Sequence, residues 1–286
     1  MKRPVHESLK DYARGLAGGL LFSFPLLYTM EMWWAGFSVT SLQLLILIII
    51  TYLLLLGYNR FAGMHPDATW REVAIDSVEE MGLGIIIAFG VLLMIGRIDL
   101  THMALREALG RTIIEAMAVS IGVSIGKSQL DSDEGGGGKQ PKGASGNNSG
   151  NEMTDKTDKL GMAVLAICGS VVVGGNVAPT QEIIVIGIEA KPVHVLLMAL
   201  ASLLMSILIV YFSDFKGASE KFPKDVLYHI TFDTCVCYLL ALGTSAFILW
   251  FFGRFENVNF EVAFAQCIVL GVISTLGASA GRLLIK

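Results

Sequence analysis

The sequence predicts an all-α polytopic membrane bundle of about eight transmembrane helices, built as two same-orientation four-helix repeats. Composition, the spacing of apolar runs, and an ordered set of matches between the two halves predict it. Of 286 residues, 53% are hydrophobic and 16% charged, and the mean hydropathy is +0.63. That is too apolar for a single water-soluble core. Charged residues gather at the ends of the apolar stretches, as expected when each span needs roughly 20 apolar residues.

Apolar runs place helices at 15–37, 39–58, 73–95, 105–126, 160–178, 193–212, 226–252 and 262–285. The first follows a basic start but contains Glu31 and lacks a small-residue cleavage site, so it reads as a retained helix rather than a signal peptide. Between the fourth and fifth runs, the Gly135–Gly138 tract and the Ser, Asn, Asp and Lys around it cannot supply a hydrophobic core. The expected organisation is therefore a first membrane repeat over 1–127, a flexible linker over 128–158 and a second repeat over 159–286.

Lys and Arg set the orientation, because cytoplasmic loops keep the positive excess. With the N-terminus inside, sixteen of the 21 fall on the cytoplasmic side, and only Arg97, Arg106, Arg111, Lys191 and Arg254 fall opposite. Both termini and the linker are thus expected in the cytoplasm of a multi-pass protein.

The repeat rests on matches in the same order along both halves. Gly18, Glu31 and Gly36 match Gly169, Glu182 and Gly187. Pro66, Asp76, Leu83, Leu92, Gly96 and Arg97 match Pro223, Asp233, Leu240, Leu249, Gly253 and Arg254 without a gap. The tract from Ser120 to Lys127 matches that from Thr275 to Arg282. With an even number of spans each, the copies would be related by an axis along the membrane normal. Within the last match, Gly122/Gly126 and Gly277/Gly281 have the spacing that lets two helix backbones approach closely, so they are expected at tight helix contacts in equivalent places.

The strongest candidates for chemistry are two acids. Glu31 follows Pro25 by six residues, and Glu182 follows Asn176 and Pro179, with Asn176 standing where Pro25 would fall. Proline removes a backbone donor, and irregular backbone at membrane depth is tolerated where it is buried in protein or lines a watery cavity. An intramembrane acid there costs about 2.5–3.5 kcal/mol on insertion scales and is a functional candidate by default. Glu31, Glu182 and Asn176 are accordingly expected to bind or relay a proton or small cation; local capping near the outer interface is the competing reading. Asp76, Glu79, Glu80, Asp233 and His229 open the third and seventh spans and are expected to form a cytoplasmic mouth, although acids at a helix N-terminus are also favoured by the helix dipole alone. Arg106, Glu107, Arg111 and Glu115 alternate in sign at helical spacings and read as an ion-paired, water-facing end.

Several chemistries are excluded. The segment from Gly122 to Ser128 is one residue short of a phosphate-binding loop and follows an apolar helix rather than a strand. The stretch from Asp131 to Gly135 lacks calcium-loop ligands at the required places. Cys168, Cys235, Cys237 and Cys267 lie in apolar runs and read as packing residues, not as a disulfide or metal framework. No catalytic constellation, cofactor or nucleic-acid partner is expected; the lipid bilayer is, and a homo-oligomer is compatible.

The tract from Leu21 to Gly36, with its Phe-Pro and Glu-Met-Trp-Trp elements, and the segment from Asn176 to Glu182 resemble a bacterial family of integral membrane proteins of unknown function. The resemblance covers most of the chain outside the linker and implies the inner membrane, but no activity. The expected function is transport or conduction of a small cation or proton. The alternative is a non-transporting scaffold or sensor that binds a partner through the linker.

Overall fold

The computed structural model describes residues 5–27, 29–64, 68–99, 101–130, 151–214 and 224–282. Among them the chain forms ten α-helices and one π-helical turn, with no strand. The order is α1 (Val5–Leu27), α2 (Met30–Ser38), α3 (Ser41–Tyr58), the π turn (Asn59–Gly63), α4 (Trp70–Met94), α5 (Leu105–Leu130), α6 (Asn151–Gly175), α7 (Gln181–Glu189), α8 (Pro192–Asp214), α9 (Lys224–Phe251) and α10 (Phe260–Arg282).

Among the described residues six helices are long and apolar enough to cross a membrane: Ser41–Gly63, Trp70–Met94, Leu105–Ser128, Pro192–Ile209, Thr234–Phe251 and Phe260–Gly281. The two remaining expected spans are interrupted. The run over 15–37 divides into α1 and the nine-residue α2, and the run over 160–178 ends at Gly175 ahead of the nine-residue α7. Nine residues rise only about 13 Å, too short for a hydrocarbon core of about 30 Å. α1 also carries Lys10, Asp11 and Arg14, and the apolar part of α6 is Lys159–Gly175. Helix also extends into both ends of the expected linker, since α5 reaches Leu130 and α6 begins at Asn151; its Gly135–Gly138 core lies outside the described residues.

Local sequence sets the helix starts. Thr40 and Gln43 form a capping box before α3, with the Gln43 N–H donating to Thr40 Oγ1 at 3.3 Å and Thr40 N–H donating to Gln43 Oε1 at 2.8 Å. Thr69 and Glu72 repeat the device before α4. α4 and α9 both end in a left-handed glycine, Gly96 (φ 71°) and Gly253 (φ 67°). The next residues, Arg97 and Arg254, donate their N–H groups back to Leu92 and Leu249.

α5 packs against α1, α2, α3 and α4, and α10 packs against α6, α7, α8 and α9. Contact between the two groups runs through α6, which meets α1, α3 and α5. The closest approaches are glycine contacts. A Cβ on Gly126 would lie 2.6 Å from the Cα of Gly18, and one on Gly122 would lie 2.9 Å from the Gly18 carbonyl oxygen. On the other side Gly277 and Gly281 are set in the same manner against Gly169, with Gly281 also on the Leu165 carbonyl. Further along, Gly36 abuts Arg111 and Gly187 abuts Gln266. The contacts thus keep one register in both groups.

Any side chain larger than hydrogen at these points must push the paired backbones apart. Gly126→Leu and Gly281→Leu are each expected to cost about 1–3 kcal/mol or more and to lower the yield of monodisperse protein in detergent. Gly82→Ala, at a position with nothing within 4 Å of an added Cβ, should leave the yield unchanged.

Candidate functional site

Where α3, α4 and α5 meet, buried polar side chains form a connected network around a carboxylate. The π turn at the end of α3 carries Asn59 inward, and no room remains for a Cβ on Gly63 beside its amide. Asn59 Nδ2 donates to Ser77 Oγ at 3.1 Å and to Glu80 Oε2 at 2.7 Å, while its Oδ1 accepts from Ser124 Oγ at 2.7 Å. The Ser77 hydroxyl in turn donates to the Val73 carbonyl at 2.7 Å. All four side chains are buried, and Glu80 is only 4% exposed. Lys127, at the end of α5 nearest this network, reaches Glu79 Oε1 at 3.3 Å and Glu80 Oε1 at 3.8 Å. A buried carboxylate is thereby held by one amide and a shared ammonium, as burial of a charge requires.

Of the residues expected at a cytoplasmic mouth, the structure brings Glu79 and Glu80 together through Lys127 and leaves Asp76 half-buried one turn earlier on α4. Asp233 and His229 lie on α9, with side chains outside the described residues.

The break after α1 has a different partner. Pro25 cannot donate a backbone hydrogen bond, and the helix opens just beyond it. Asn176, at the end of α6, enters the opening: its Nδ2 donates to the Phe22 carbonyl at 3.1 Å and its Oδ1 accepts the Leu26 N–H at 3.0 Å. One side-chain amide thus stands between a carbonyl and an N–H four residues apart, the pair that an unbroken helix would join directly. Nδ2 also donates to the Val172 carbonyl. Asn176 is therefore a clasp between α6 and α1. Thr29 and Trp33 complete the turn, donating to the Pro25 carbonyl at 2.8 Å and the Leu27 carbonyl at 3.1 Å. Pro179 is buried, and its carbonyl accepts from Arg254.

Glu31 and Glu182 occupy the first turns of the short helices α2 and α7. Glu31 is half-buried and Glu182 exposed. Arg254 lies close enough to Glu31 to feel its charge: desolvation lowers the guanidinium from its ordinary value, and Glu31 acts against that shift. Arg97 instead covers the ring of Trp33 at 3.9 Å.

The charged start of α5 is ion-paired and partly open as expected up to Arg111, and departs from that reading at Glu115. Arg111 bonds Glu107 at 2.5 Å and the Arg97 carbonyl at 2.5 Å, not Glu115. Glu115 is buried, 1% exposed, and neither of its oxygens has a hydrogen-bond partner. The helical spacing is right for an Arg111–Glu115 pair, but packing against α2 turns Arg111 away.

Among the described residues no group of three or more His, Cys, Asp or Glu side chains is placed to hold a metal ion. Over residues 11–285 the chain matches the model of a family described as "Putative integral membrane protein (DUF2391)". The chain belongs to this family. It is an integral membrane protein with several apolar helices, and its likeness to the family extends across both helix groups. Searches of curated proteins and of solved structures found no match.

Two residues of this site stand apart from the acids that helix-start reasoning selects. Asn59 has no motif, and its only sequence signal is a polar residue closing an apolar run. Glu115 sits among charges whose spacing imitates a surface helix. For the clasp, Asn176→Leu would orphan the Phe22 carbonyl and the Leu26 N–H at a cost of about 1–3 kcal/mol. A lower melting temperature in detergent is the expected result, with Asn176→Gln giving a smaller loss than Asn176→Leu.

Proposed function

We propose that the protein transports or conducts a proton or small cation, and that Glu80 is its ion-binding carboxylate. The reading takes the chain as two copies of one unit in the same direction. α1/α2 and α6/α7 each serve as one interrupted pass, making eight in all, with both termini and the connection after α5 in the cytoplasm of a bacterial inner membrane. The matching glycine contacts and matching Gly-Arg turns support that arrangement.

The observation that carries the reading is an asymmetry. The ungapped match that pairs Gly96 and Arg97 with Gly253 and Arg254 pairs Glu80 with Cys237, and Cys237 is just as buried, at 1% exposed. Packing at that position is therefore achieved without an acid. Keeping a carboxylate there, with an amide, hydroxyls and a lysine around it, has a cost that a function would justify.

Lys127 gives the site a means of release. An arriving cation competes with its ammonium for Glu80, and Glu79, already 3.3 Å away, is placed to take the lysine. Asp76 adds negative charge on the same helix, one turn nearer the start of α4. Glu31 and Glu182, with their open or half-open surroundings, fit entry positions on the opposite face better than a central binding site.

Purified protein in liposomes should support an ion or pH flux that a pH-sensitive or cation-sensitive dye reads. Glu80→Gln is expected to slow it at least about tenfold, the effect of about 1.4 kcal/mol on a barrier, while Cys237→Ala leaves it intact. Equal flux in Glu80→Gln and the unaltered protein would remove Glu80 from the mechanism, and inert liposomes would remove transport.

A further inference from the structure

The second buried acid has a different character from Glu80. On α5, residues four and seven apart share a face. Arg111 meets Gly36 of α2, and Gly122 meets Gly18 and Phe22 of α1. Glu115, four residues beyond Arg111 and seven before Gly122, falls on that stripe. It lies between the levels of Phe22 and Gly36, the interval that contains the break between α1 and α2. Ten residues from Leu105, it stands about 15 Å along the helix, near the middle of a hydrocarbon core of about 30 Å.

We propose that Glu115 is a proton-binding site, a carboxyl group set against the α1–α2 break that takes up and releases one proton in each transport cycle. The proposal rests on the reading of the protein as a proton or cation carrier and deepens it by naming the proton. In uptake, one O–H bond forms at a carboxylate oxygen, the group passes from charge −1 to neutral, and the proton comes from water at the membrane face. Release reverses each change.

Three observations lead there. First, the carboxyl group is 1% exposed with no hydrogen-bond partner on either oxygen, a setting in which an unpaired negative charge costs several kcal/mol. Second, the match of Ser120–Lys127 with Thr275–Arg282, extended back along the helix, pairs Glu115 with Leu270, which is fully buried. The bundle can be packed with leucine at that place. Third, the neighbouring elements supply nothing else to neutralise the charge. Residues 15–27 of α1 and 81–94 of α4 contain no ionisable side chain, α3 offers only Tyr52 and Tyr58, and residues 160–175 of α6 only Cys168. α2 contributes Glu31, which has the wrong sign, and Arg111 on α5 gives its two terminal nitrogens to Glu107 and the Arg97 carbonyl, while its buried Nε makes no hydrogen bond to Glu115. Glu80 and Lys127 belong to the separate network around Asn59. A metal cation would require several oxygen ligands around it, whereas a proton requires only the carboxyl group itself.

The irregular backbone beside Glu115 fits a route of access. α1 ends at Leu27, and the Thr29 hydroxyl and the Asn176 amide occupy hydrogen-bonding groups that an intact helix would use internally. Loosening those bonds exposes polar backbone at the level of Glu115, along which water can reach it.

The test is infrared spectroscopy of the full-length protein in detergent over a pH series, compared with Glu115→Gln and Glu80→Gln. A protonated-carboxyl band that fades as pH rises, disappears in Glu115→Gln and remains in Glu80→Gln is the expected result. Absence of a band assignable to Glu115, or one that never changes with pH, overturns the proposal. Glu115→Leu is the second variant; it should fold and melt at the same or a higher temperature because leucine fills the matched position, and it should lack both the band and the proton flux in liposomes. Retention of full flux in folded Glu115→Leu overturns the role in the cycle. A titrating Glu115 in a protein whose liposomes are inert keeps the proton site and removes transport, so the two failures are distinct.

Discussion

Helices surrounded by hydrocarbon gain little by hiding apolar side chains from it, so close approach becomes the means by which they hold together. In this protein the approach is made by Gly18 against Gly122 and Gly126, and by Gly169 against Gly277 and Gly281. The remaining geometry follows from those contacts. With α1 drawn onto α5, the short α2 lies over the start of α5, where Gly36 leaves space for Arg111. The same placement sets the break after Leu27 beside the middle of α5. Separately, the π turn after α3 builds a polar interior by bringing Asn59 to Ser77, Glu80 and Ser124.

That interior shows how strictly a dry environment treats unsatisfied groups. The opening after Pro25 is filled by an amide from α6, and the buried Glu80 is held by Asn59 and Lys127. Both devices join elements distant in sequence, and each does for polar groups what the glycines do for backbones. Of the two buried acids among the described residues Glu115 is the one left out, buried to the same degree with neither oxygen bonded. The two acids also differ in what a charge would encounter there: an ammonium within 3.8 Å of Glu80, and nothing comparable at Glu115.

Much of the site is legible in the sequence as unusual residues, but not as a set of contacts. Pro25, Asn176, Glu31 and Glu182 attract notice because prolines and acids are rare in apolar runs. Asn176 proves to be the clasp between two helices, and Glu182 is exposed at the start of a short helix. Glu80 belongs to a group of acids at a helix start, where burial and exposure produce the same sequence pattern; Asn59, through the π turn, decides the matter. Glu115 was concealed by its neighbours, because Glu107, Arg111 and Glu115 at four-residue intervals look like a solvated face. Only contact with α2 shows that Arg111 turns toward Glu107 and leaves Glu115 alone.

By itself the sequence determined the membrane environment, the helical class, most helix positions and the glycine pairs, since each depends on local composition or on spacing along one helix. Tertiary structure decided which apolar runs are interrupted into short helices, which helix each glycine meets, and which acids are enclosed. Those outcomes depend on partners far away in the chain: Asn176 and Phe22 are separated by 154 residues, and Ser124 and Asn59 by 65. Helical periodicity tells which side chains share a face, but not what that face touches.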